Sequence, residues 1–366
     1  MRSVLSRAVA VIFLPFSFGR LATLLCLAPP SGLMAQSVDI PIAVPSHSSE
    51  KVNWPAVVSE VQIPCNDGTA QSAMWYAPPG PGPKPLLVGL HTWGGDFRGK
   101  PGPVYAHWCI SQGWALIHPH FRGPNETPQA LGSDRAVADI VEAVAWAKRH
   151  ASVDEARIYL IGVSGGGHMA MQMAARHPEL WAGVSAWSGI SDVVGWYSEL
   201  LASTESYRDH YLENMRAALG GNPWLSVARR TDAWQRSPLS HLAQAVGVPL
   251  DINHGVHDDG VPFTQSLRGF NAAVAVGDRL KDEEITAYYR LQRLPAGWPM
   301  APADASYGSR TPLFRKVAGN TRVTIFEGGH EIVYQAALNW LALQRKGQPA
   351  TWKVRHIVRI EVNDLQ

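Results

Sequence analysis

A serine flanked by glycines follows a short apolar segment of the chain. Residues 158–161 are apolar, and Gly162, Ser164 and Gly166 then form a Gly-x-Ser-x-Gly pattern directly before a helical stretch. In this strand–turn–helix context the pattern predicts a serine nucleophile, because a tight turn that presents the hydroxyl requires neighbours without side chains. A glycine-rich entry to a nucleotide-binding helix is the alternative, but no Gly-x-Gly-x-x-Gly pattern accompanies it.

A serine hydroxyl needs a base to remove its proton and an acid to orient that base. His330 lies in a glycine loop just past the apolar segment 323–326, and Asp258 follows the segment 249–252. The carboxyl ends of parallel strands meet at one edge of a sheet, so both side chains are expected near Ser164. The predicted triad is therefore Ser164, Asp258 and His330, and its chain order is that of α/β-hydrolases.

Neighbouring residues offer alternatives for the same chemistry. Asp259 is the second choice for the acid, and Asp192 is the third. His254, His257 and Asp258 could instead form a metal site, but a compact turn lacks the spacing that aims side chains at one point. We predict that the site uses no metal and no cofactor.

The elements that must position these residues alternate along the chain. Apolar segments that predict strands occupy residues 86–90, 114–117, 158–161, 183–187, 249–252 and 323–326. Segments that predict helices occupy residues 104–112, 136–150, 166–176 and 264–276. Such alternation predicts an α/β fold whose mostly parallel central sheet is flanked by helices. Residues 58–63 and 71–76 predict a β-hairpin in front of it.

The N-terminal residues have the composition of an export signal. Arg2 and Arg7 precede two apolar stretches, and small residues at 31–35 offer a cleavage site before Gln36. This pattern predicts a secreted or periplasmic protein, with an uncleaved membrane anchor as the alternative. The predicted boundaries are a signal peptide at 1–35, an arm and hairpin at 36–84, a catalytic domain at 85–348 with a helical lid insertion at about 192–246, and a C-terminal extension at 349–366.

Charge and cysteine content exclude several classes of protein. The chain has 32 Lys and Arg against 30 Asp and Glu, a net charge of +2 that is far from the basic excess of a nucleic-acid-binding protein. Its three cysteines fit no zinc motif, and Cys26 lies in the predicted signal. Whether Cys65 and Cys109 pair remains open at this point.

Several motifs together resemble the catalytic domain of the prolyl oligopeptidase family. They are Gly-x-Ser-Gly-Gly-Gly-His at 162–168, Arg-Ser-Pro-Leu at 236–239, His-Gly-x-x-Asp-x-x-Val-Pro at 254–262, Gln-Ser at 265–266 and Gly-His at 329–330. The resemblance covers roughly residues 86–343 and implies the same triad and an α/β-hydrolase fold. About fifty residues separate the predicted signal from the first catalytic strand, too few for the β-propeller of the family's large peptidases.

An oxyanion hole needs two donors aimed at the developing negative charge. The N–H of Gly165, which follows the nucleophile, is the first predicted donor. The second is the backbone N–H of Trp93, in a loop at 91–96 that resembles the family's His-Gly-Gly loop. His91 is expected to orient that loop.

Three further residues are predicted to line the substrate pocket. Trp187 and Trp196 lie near the carboxyl edge of the sheet, and Arg122 follows the segment 114–117 and is equally compatible with a structural role. Aromatic walls favour small or sugar esters as substrates, whereas the family resemblance favours short peptides. The predicted function is an exported serine hydrolase acting through an acyl-enzyme on an ester, with a serine-type peptidase and a non-catalytic binding module as alternatives. The oligomeric state stays open.

Overall fold

The structure, a computed structural model, describes residues 52–360 of the chain. The predicted signal peptide, the start of the arm and residues 361–366 lie outside the described residues. The strands of the described part are β1 (Ser59–Pro64), β2 (Ala70–Tyr76), β3 (Lys84–Leu90), β4 (Ala115–Pro119), β5 (Val153–Val163), β6 (Gly183–Trp187), β7 (Leu250–Gly255), β8 (Pro312–Ala318) and β9 (Thr321–Phe326). The α-helices of the same part are α1 (Gly102–Gln112), α2 (Asp134–His150), α3 (Gly165–Arg176), α4 (Val193–Ala202), α5 (Arg208–Leu219), α6 (Val227–Gln235), α7 (Thr264–Ala273), α8 (Asp282–Leu291) and α9 (Tyr334–Leu343).

The strands of residues 52–360 form one sheet in the order β1-β2-β4-β3-β5-β6-β7-β9-β8. The six strands from β4 to β9 in this order pair in parallel, while β1, β2 and β8 pair antiparallel at the two sides. The predicted α/β-hydrolase fold is thereby confirmed, and so is the predicted hairpin, now β1 and β2. The sequence analysis did not assign β8, α8 or α9.

The central strands are apolar throughout because helices cover both faces of the sheet. In β3, Leu86 and Val88 pack into one buried cluster together with Ile140 of α2. Leu87 points to the opposite face and packs with Tyr105 of α1 and residues of α9. Alternate residues of one strand thus enter two separate cores, which a continuous apolar run permits and an alternating one would not.

The predicted lid insertion consists of three α-helices, α4, α5 and α6, between β6 and β7. They share a third buried cluster that includes Trp93 from the loop after β3. The lid therefore packs directly on the loop predicted to bind the oxyanion. In the described part of the chain no helix has the length and apolar character needed to cross a membrane. Cys65 and Cys109 are both buried and unpaired, which answers the question left open by their spacing.

Candidate active site

Ser164 occupies a sharp turn between the end of β5 and the start of α3. Its backbone has φ 60° and ψ −121°, in the left-handed half of conformational space that residues with a Cβ rarely adopt. A Cβ atom on Gly162 would lie 2.3 Å from the carbonyl oxygen of Gly166, so the turn can form only with glycine at that position. The Gly-x-Ser-x-Gly pattern therefore reflects backbone contact across the turn, as a nucleophile elbow requires.

Asp258 and His330 meet in two loops that follow the neighbouring strands β7 and β9. The Nδ1 atom of His330 lies 2.7 Å from Oδ2 of Asp258. The two loops are joined by their backbones, because the N–H of His257 donates to the carbonyl of Gly328 at 2.9 Å. Asp258 is buried, whereas the His330 side chain keeps 30% of its surface exposed. This arrangement fixes one ring nitrogen of His330 and leaves the other free for a substrate or a nucleophile.

Backbone and side-chain contacts also connect the Ser164 turn to the His330 loop. The N–H of Ser164 donates to the carbonyl of Trp187 at 2.9 Å. The next residue, Ser188, donates its hydroxyl to the carbonyl of Glu331 at 3.4 Å. Ser164 and Glu331, the residue after His330, are thus each hydrogen-bonded to the same dipeptide at the end of β6, and the structure brings the three predicted triad residues to one edge of the sheet.

The protonation states of Asp258 and His330 are set by their mutual contact. Burial alone would raise the pKa of Asp258, but the nearby rings of His330 and His254 overcome it and hold that pKa well below its usual range. Burial disfavours the charged form of His330, yet the Asp258 carboxylate outweighs it and raises the pKa of His330. The backbone N–H groups of Gly260 and Val261 donate to Oδ1 of Asp258 at 3.1 and 2.8 Å. The carboxylate is therefore ionised and held in place.

The two residues predicted to supply the oxyanion donors, Gly165 and Trp93, meet through their backbones. A Cβ atom on Gly165 would lie 2.6 Å from both N and Cα of Trp93, so the two backbones are in direct contact. Gly165 opens α3, where the first N–H groups have no acceptor inside the helix. Both predicted donors are therefore adjacent and next to the nucleophile turn.

The loop that carries Trp93 is held from two sides. His91 is fully buried, its ring nitrogens lie within 2.9 Å of the carbonyls of Thr92 and His120, and burial lowers its pKa to about 4. The indole N–H of Trp93 donates to Oδ1 of Asn214, on lid helix α5, at 3.1 Å. The His91 contacts agree with the orienting role expected from the sequence, and the Trp93 contact links the loop to the lid.

The two predicted pocket tryptophans are both buried, but one of them also lines a cavity. Trp187 has 0% of its surface exposed and packs against Tyr307 and Phe326, so its ring offers no surface to a ligand. Trp196 is almost fully buried, with its indole N–H bonded to the carbonyl of Gly260 at 3.1 Å, yet it lines a cavity between α4, α7 and α8. The pocket role predicted for Trp187 is therefore corrected, because side chains at strand ends also turn inward, whereas the pocket role of Trp196 stays a prediction.

Arg122 is likewise occupied within the fold. Its guanidinium forms ion pairs with Asp67 at 2.9 Å and with Asp139 of α2 at 2.7 Å. These ion pairs fit the structural role of Arg122 and not a contact with substrate.

The two alternatives for the triad acid have other surroundings. Asp192 caps α4 by accepting the N–H of Gly195 at 2.9 Å, and the side chain of Asp259 points into solvent.

Potential metal ligands do not converge at this site. His257 is exposed and pairs with Glu327, away from the buried His254. Elsewhere in residues 52–360, ligand atoms of Cys65, Asp139 and Glu142 lie within 4.8 Å of one another. Asp139 is already paired with Arg122, and burial raises the pKa of the Cys65 thiol to about 12.

Sequence reasoning missed two tyrosines of the lid that face the site. Tyr207 and Tyr211 are half-buried, contact each other with ring centroids 5.9 Å apart, and Tyr211 also contacts Trp93 at 6.0 Å. The hydroxyl of Tyr207 donates to the carbonyl of Asp259, beside the triad acid. Their spacing of four residues at the start of α5, which places both rings on one helix face, was the available signal. An adjoining cavity of about 510 Å³ extends between α4, α7 and α8.

Comparisons with known proteins identify the family of the chain. Residues 104–286, half of the 366-residue chain, match the model described as the Prolyl oligopeptidase family. Dipeptidyl aminopeptidase BIII of Pseudoxanthomonas mexicana is 26% identical over 220 residues, which are 55% of this chain and 28% of that protein. Feruloyl esterase B of Thermothelomyces thermophilus is 29% identical over 120 residues, which are 29% of this chain and 40% of that protein.

A solved structure supports the fold. The acylaminoacyl peptidase of Pyrococcus horikoshii superposes with a TM-score of 0.55 at 16% identity, covering 81% of this chain and 43% of that one. The chain thus spans less than half the length of each of these three relatives.

Proposed function

The chain belongs to the prolyl oligopeptidase family of serine hydrolases, and from this premise we propose that it hydrolyses small acyl esters through an acyl-enzyme on Ser164. The observation that carries the proposal is the 2.7 Å hydrogen bond between His330 and Asp258, at the sheet edge where Ser164 takes its left-handed backbone conformation. A positioned base, its orienting acid and a serine held in a strained turn are the parts that nucleophilic acyl transfer requires.

In the first half-reaction the Ser164 hydroxyl attacks the ester carbonyl, and Nε2 of His330 takes the hydroxyl proton. Nδ1 keeps its proton in the hydrogen bond to Asp258, which stabilises the imidazolium that forms. The N–H groups of Gly165 and Trp93 bind the oxyanion of the tetrahedral intermediate. When that intermediate collapses, the C–O bond to the alcohol breaks, the alcohol leaves with the proton from His330, and the acyl group stays on Ser164.

In the second half-reaction a water molecule replaces the alcohol. His330 takes one proton from the water as its oxygen attacks the acyl carbon, and then returns it to the Ser164 oxygen as the acyl bond breaks. The products are a carboxylic acid and the free enzyme. Every proton that leaves an oxygen passes through Nε2, the nitrogen of His330 that Asp258 does not hold.

The lid supports an ester as the substrate. Tyr207 and Tyr211 present partly exposed rings beside the triad acid, and rings of this kind bind an apolar acyl group or a sugar face by burial and stacking. The similarity to Feruloyl esterase B supports the same assignment. An alcohol is also a better leaving group than an amine, so ester cleavage makes the smaller demand on positioning.

A serine-type peptidase acting on short peptides is the second candidate. It is favoured by the similarity to Dipeptidyl aminopeptidase BIII, which covers a larger part of this chain than the esterase match does. The same triad and oxyanion donors would serve an amide, with His330 protonating the amine that leaves.

We also propose that the protein is exported, because residues 1–35 have the composition of a signal peptide. Expression of the full chain in a bacterial host, followed by N-terminal mass spectrometry of the periplasmic fraction, tests this. The expected mature terminus is Gln36, and a protein that retains Met1 in the cytosol contradicts it.

The function is tested by turnover of sugar and aryl esters beside turnover of dipeptide anilides, with wild type and Ser164→Ala in parallel. We expect ester kcat/KM to exceed amide kcat/KM by at least about a hundredfold, and the variant to lose both activities and all labelling by an organophosphonate. Equal or faster anilide cleavage selects the peptidase instead. Full labelling of the variant contradicts Ser164 as the nucleophile.

A further inference from the structure

Two histidines donate to the same oxygen of the predicted catalytic acid. Oδ2 of Asp258 lies 2.7 Å from Nδ1 of His330 and 3.0 Å from Nε2 of His254. His254 is the penultimate residue of β7 and is fully buried, so its ring is held by the strand and reaches no solvent. The mechanism described above uses His330 and leaves His254 without a role.

The surroundings of His254 determine which of its nitrogens carries the proton. Nε2 faces two acceptors, the Asp258 carboxylate and the carbonyl of Val261 at 2.7 Å, so this nitrogen must be the donor. Nδ1 faces the hydroxyl of Ser266 on α7 at 2.7 Å, and a hydroxyl can donate to a neutral ring nitrogen. The two acceptors at Nε2 therefore assign a proton to that nitrogen, and we take Nδ1 as the acceptor of the Ser266 hydroxyl.

This contact changes what holds the acid in place. Oδ1 of Asp258 is fixed by two backbone N–H groups of its own loop, but Oδ2 would be held by His330 alone if His254 were absent. Without His254, the oxygen that orients the base would be contacted only by the base itself. His254 supplies an independent anchor from β7, and its bond to Val261 ties the far end of the loop to the same strand.

Building on the proposed function, we propose that His254 is a positioning residue of the hydrolase, which locks Asp258 so that Asp258 can orient His330. Ser266 selects the tautomer of His254 and so belongs to the same chain of contacts. His254 contacts neither substrate nor nucleophile. Its loss should therefore reduce the rate of acylation and leave substrate binding unchanged.

The variants His254→Leu, His254→Gln and Ser266→Ala test the proposal, with His257→Gln as the matched control in the same loop. Leucine removes the donor and keeps the bulk, whereas glutamine can return an N–H donor to Oδ2. We expect His254→Leu to lower kcat by about 10- to 100-fold with KM unchanged, since it deletes a hydrogen bond to a charged group. His254→Gln should recover most of that loss, and Ser266→Ala should lower kcat by a few-fold at constant KM.

A second measurement tests the contacts of His254 and His330 without an activity assay. In protein labelled with ¹⁵N-histidine, we expect one buried ring in the neutral Nε2–H form, assigned to His254 by its loss in His254→Gln. The downfield Nδ1 proton of His330 should be sharp in wild type and in His257→Gln, and broadened in His254→Leu and Ser266→Ala. Should His254→Leu fail to fold, His254→Gln and Ser266→Ala still decide.

The outcomes separate this proposal from the proposed function. A wild type without Ser164-dependent turnover contradicts the function, while the spectra still report whether His254 anchors Asp258. Unchanged kcat in every His254 and Ser266 variant overturns the positioning role, and so does a His254 ring protonated at Nδ1. An equal fall in stability and activity without rescue by glutamine also overturns it, because that pattern belongs to a packing role.

Discussion

Nδ1 of His330 lies 2.7 Å from Oδ2 of Asp258, although 72 positions of chain separate the two residues. The contact exists because β7 and β9 are neighbours in the sheet and their following loops share a backbone hydrogen bond. Because this carboxylate raises the pKa of His330, both the activity and the stability of the protein should depend on pH.

Catalysis requires neutral His330, so kcat/KM should fall on the acid side of a pKa that is raised above 6.5. In the folded protein the charged ring is stabilised by Asp258, so this pair adds stability that is fully present below the unfolded pKa and is lost as pH rises through the raised pKa. Melting temperatures of wild type and His330→Gln should therefore differ most near about pH 5 to 6, below the usual pKa of histidine, and converge at alkaline pH. A difference that grows with pH contradicts the assignment.

The two adjacent aspartates should differ sharply in their effect on turnover. Asp258→Asn leaves an amide that cannot stabilise the imidazolium and can favour the wrong tautomer of His330, so kcat should fall by about four orders of magnitude. The Asp259 side chain is exposed and contacts neither ring, so Asp259→Asn serves as the control and should change kcat by less than about tenfold. Steady-state kinetics on one ester distinguishes them. If Asp259→Asn is the more harmful, the acid has been assigned to the wrong residue.

The contact between Gly165 and Trp93 predicts that even one methyl group disrupts the oxyanion hole. An alanine Cβ at position 165 would lie 2.6 Å from the Trp93 backbone, and that loop must shift to admit it. Loss of one donor typically lowers kcat by about 10²- to 10³-fold, and we expect Gly165→Ala to fall in this range with KM little changed. Gly277→Ala is the control, because nothing lies within 4 Å of its added Cβ. Full activity of Gly165→Ala would show that the Trp93 amide is not a donor.

The sequence predicted most of the fold and of the triad because both depend on local signals. Apolar runs such as residues 86–90 mark strands buried on both faces, and glycines around Ser164 and His330 mark turns at strand ends. It did not predict that the ring of Trp187 is buried. Trp187 ends β6, and only the distant Tyr307 and Phe326 decide that its ring turns inward.

Arg122 shows the same limit, since its sequence neighbourhood is compatible with substrate binding or with a structural role. The choice depends on Asp67, in the turn between β1 and β2, and on Asp139 of α2, which tertiary packing brings to Arg122. The strand β8 was missed for a related reason. It lies at the edge of the sheet, is only partly buried, and has no continuous apolar run.

The last prediction concerns the C-terminal extension and a buried ion pair beneath it. Nε of Arg322 on β9 lies 2.7 Å from Oδ1 of Asp251 on β7, and both side chains are almost fully buried. The guanidinium also donates to the carbonyl of Trp352 at 3.2 Å and lies 5.0 Å from that indole ring, which stacks on Trp340. Arg322 therefore joins two central strands to residues 349–360.

Arg322→Ala leaves Asp251 buried without its cation, and breaking such a pair costs about 3 to 5 kcal/mol of unfolding free energy. It also removes the contact that holds Trp352, so limited proteolysis should cleave after residue 348 in the variant before it does so in wild type. Arg149→Ala, at the exposed end of α2, is the control and should change the unfolding free energy by less than about 0.5 kcal/mol. Urea titrations followed by tryptophan fluorescence measure the unfolding free energy of both variants. Equal midpoints for Arg322→Ala and wild type would contradict a stabilising role for the ion pair.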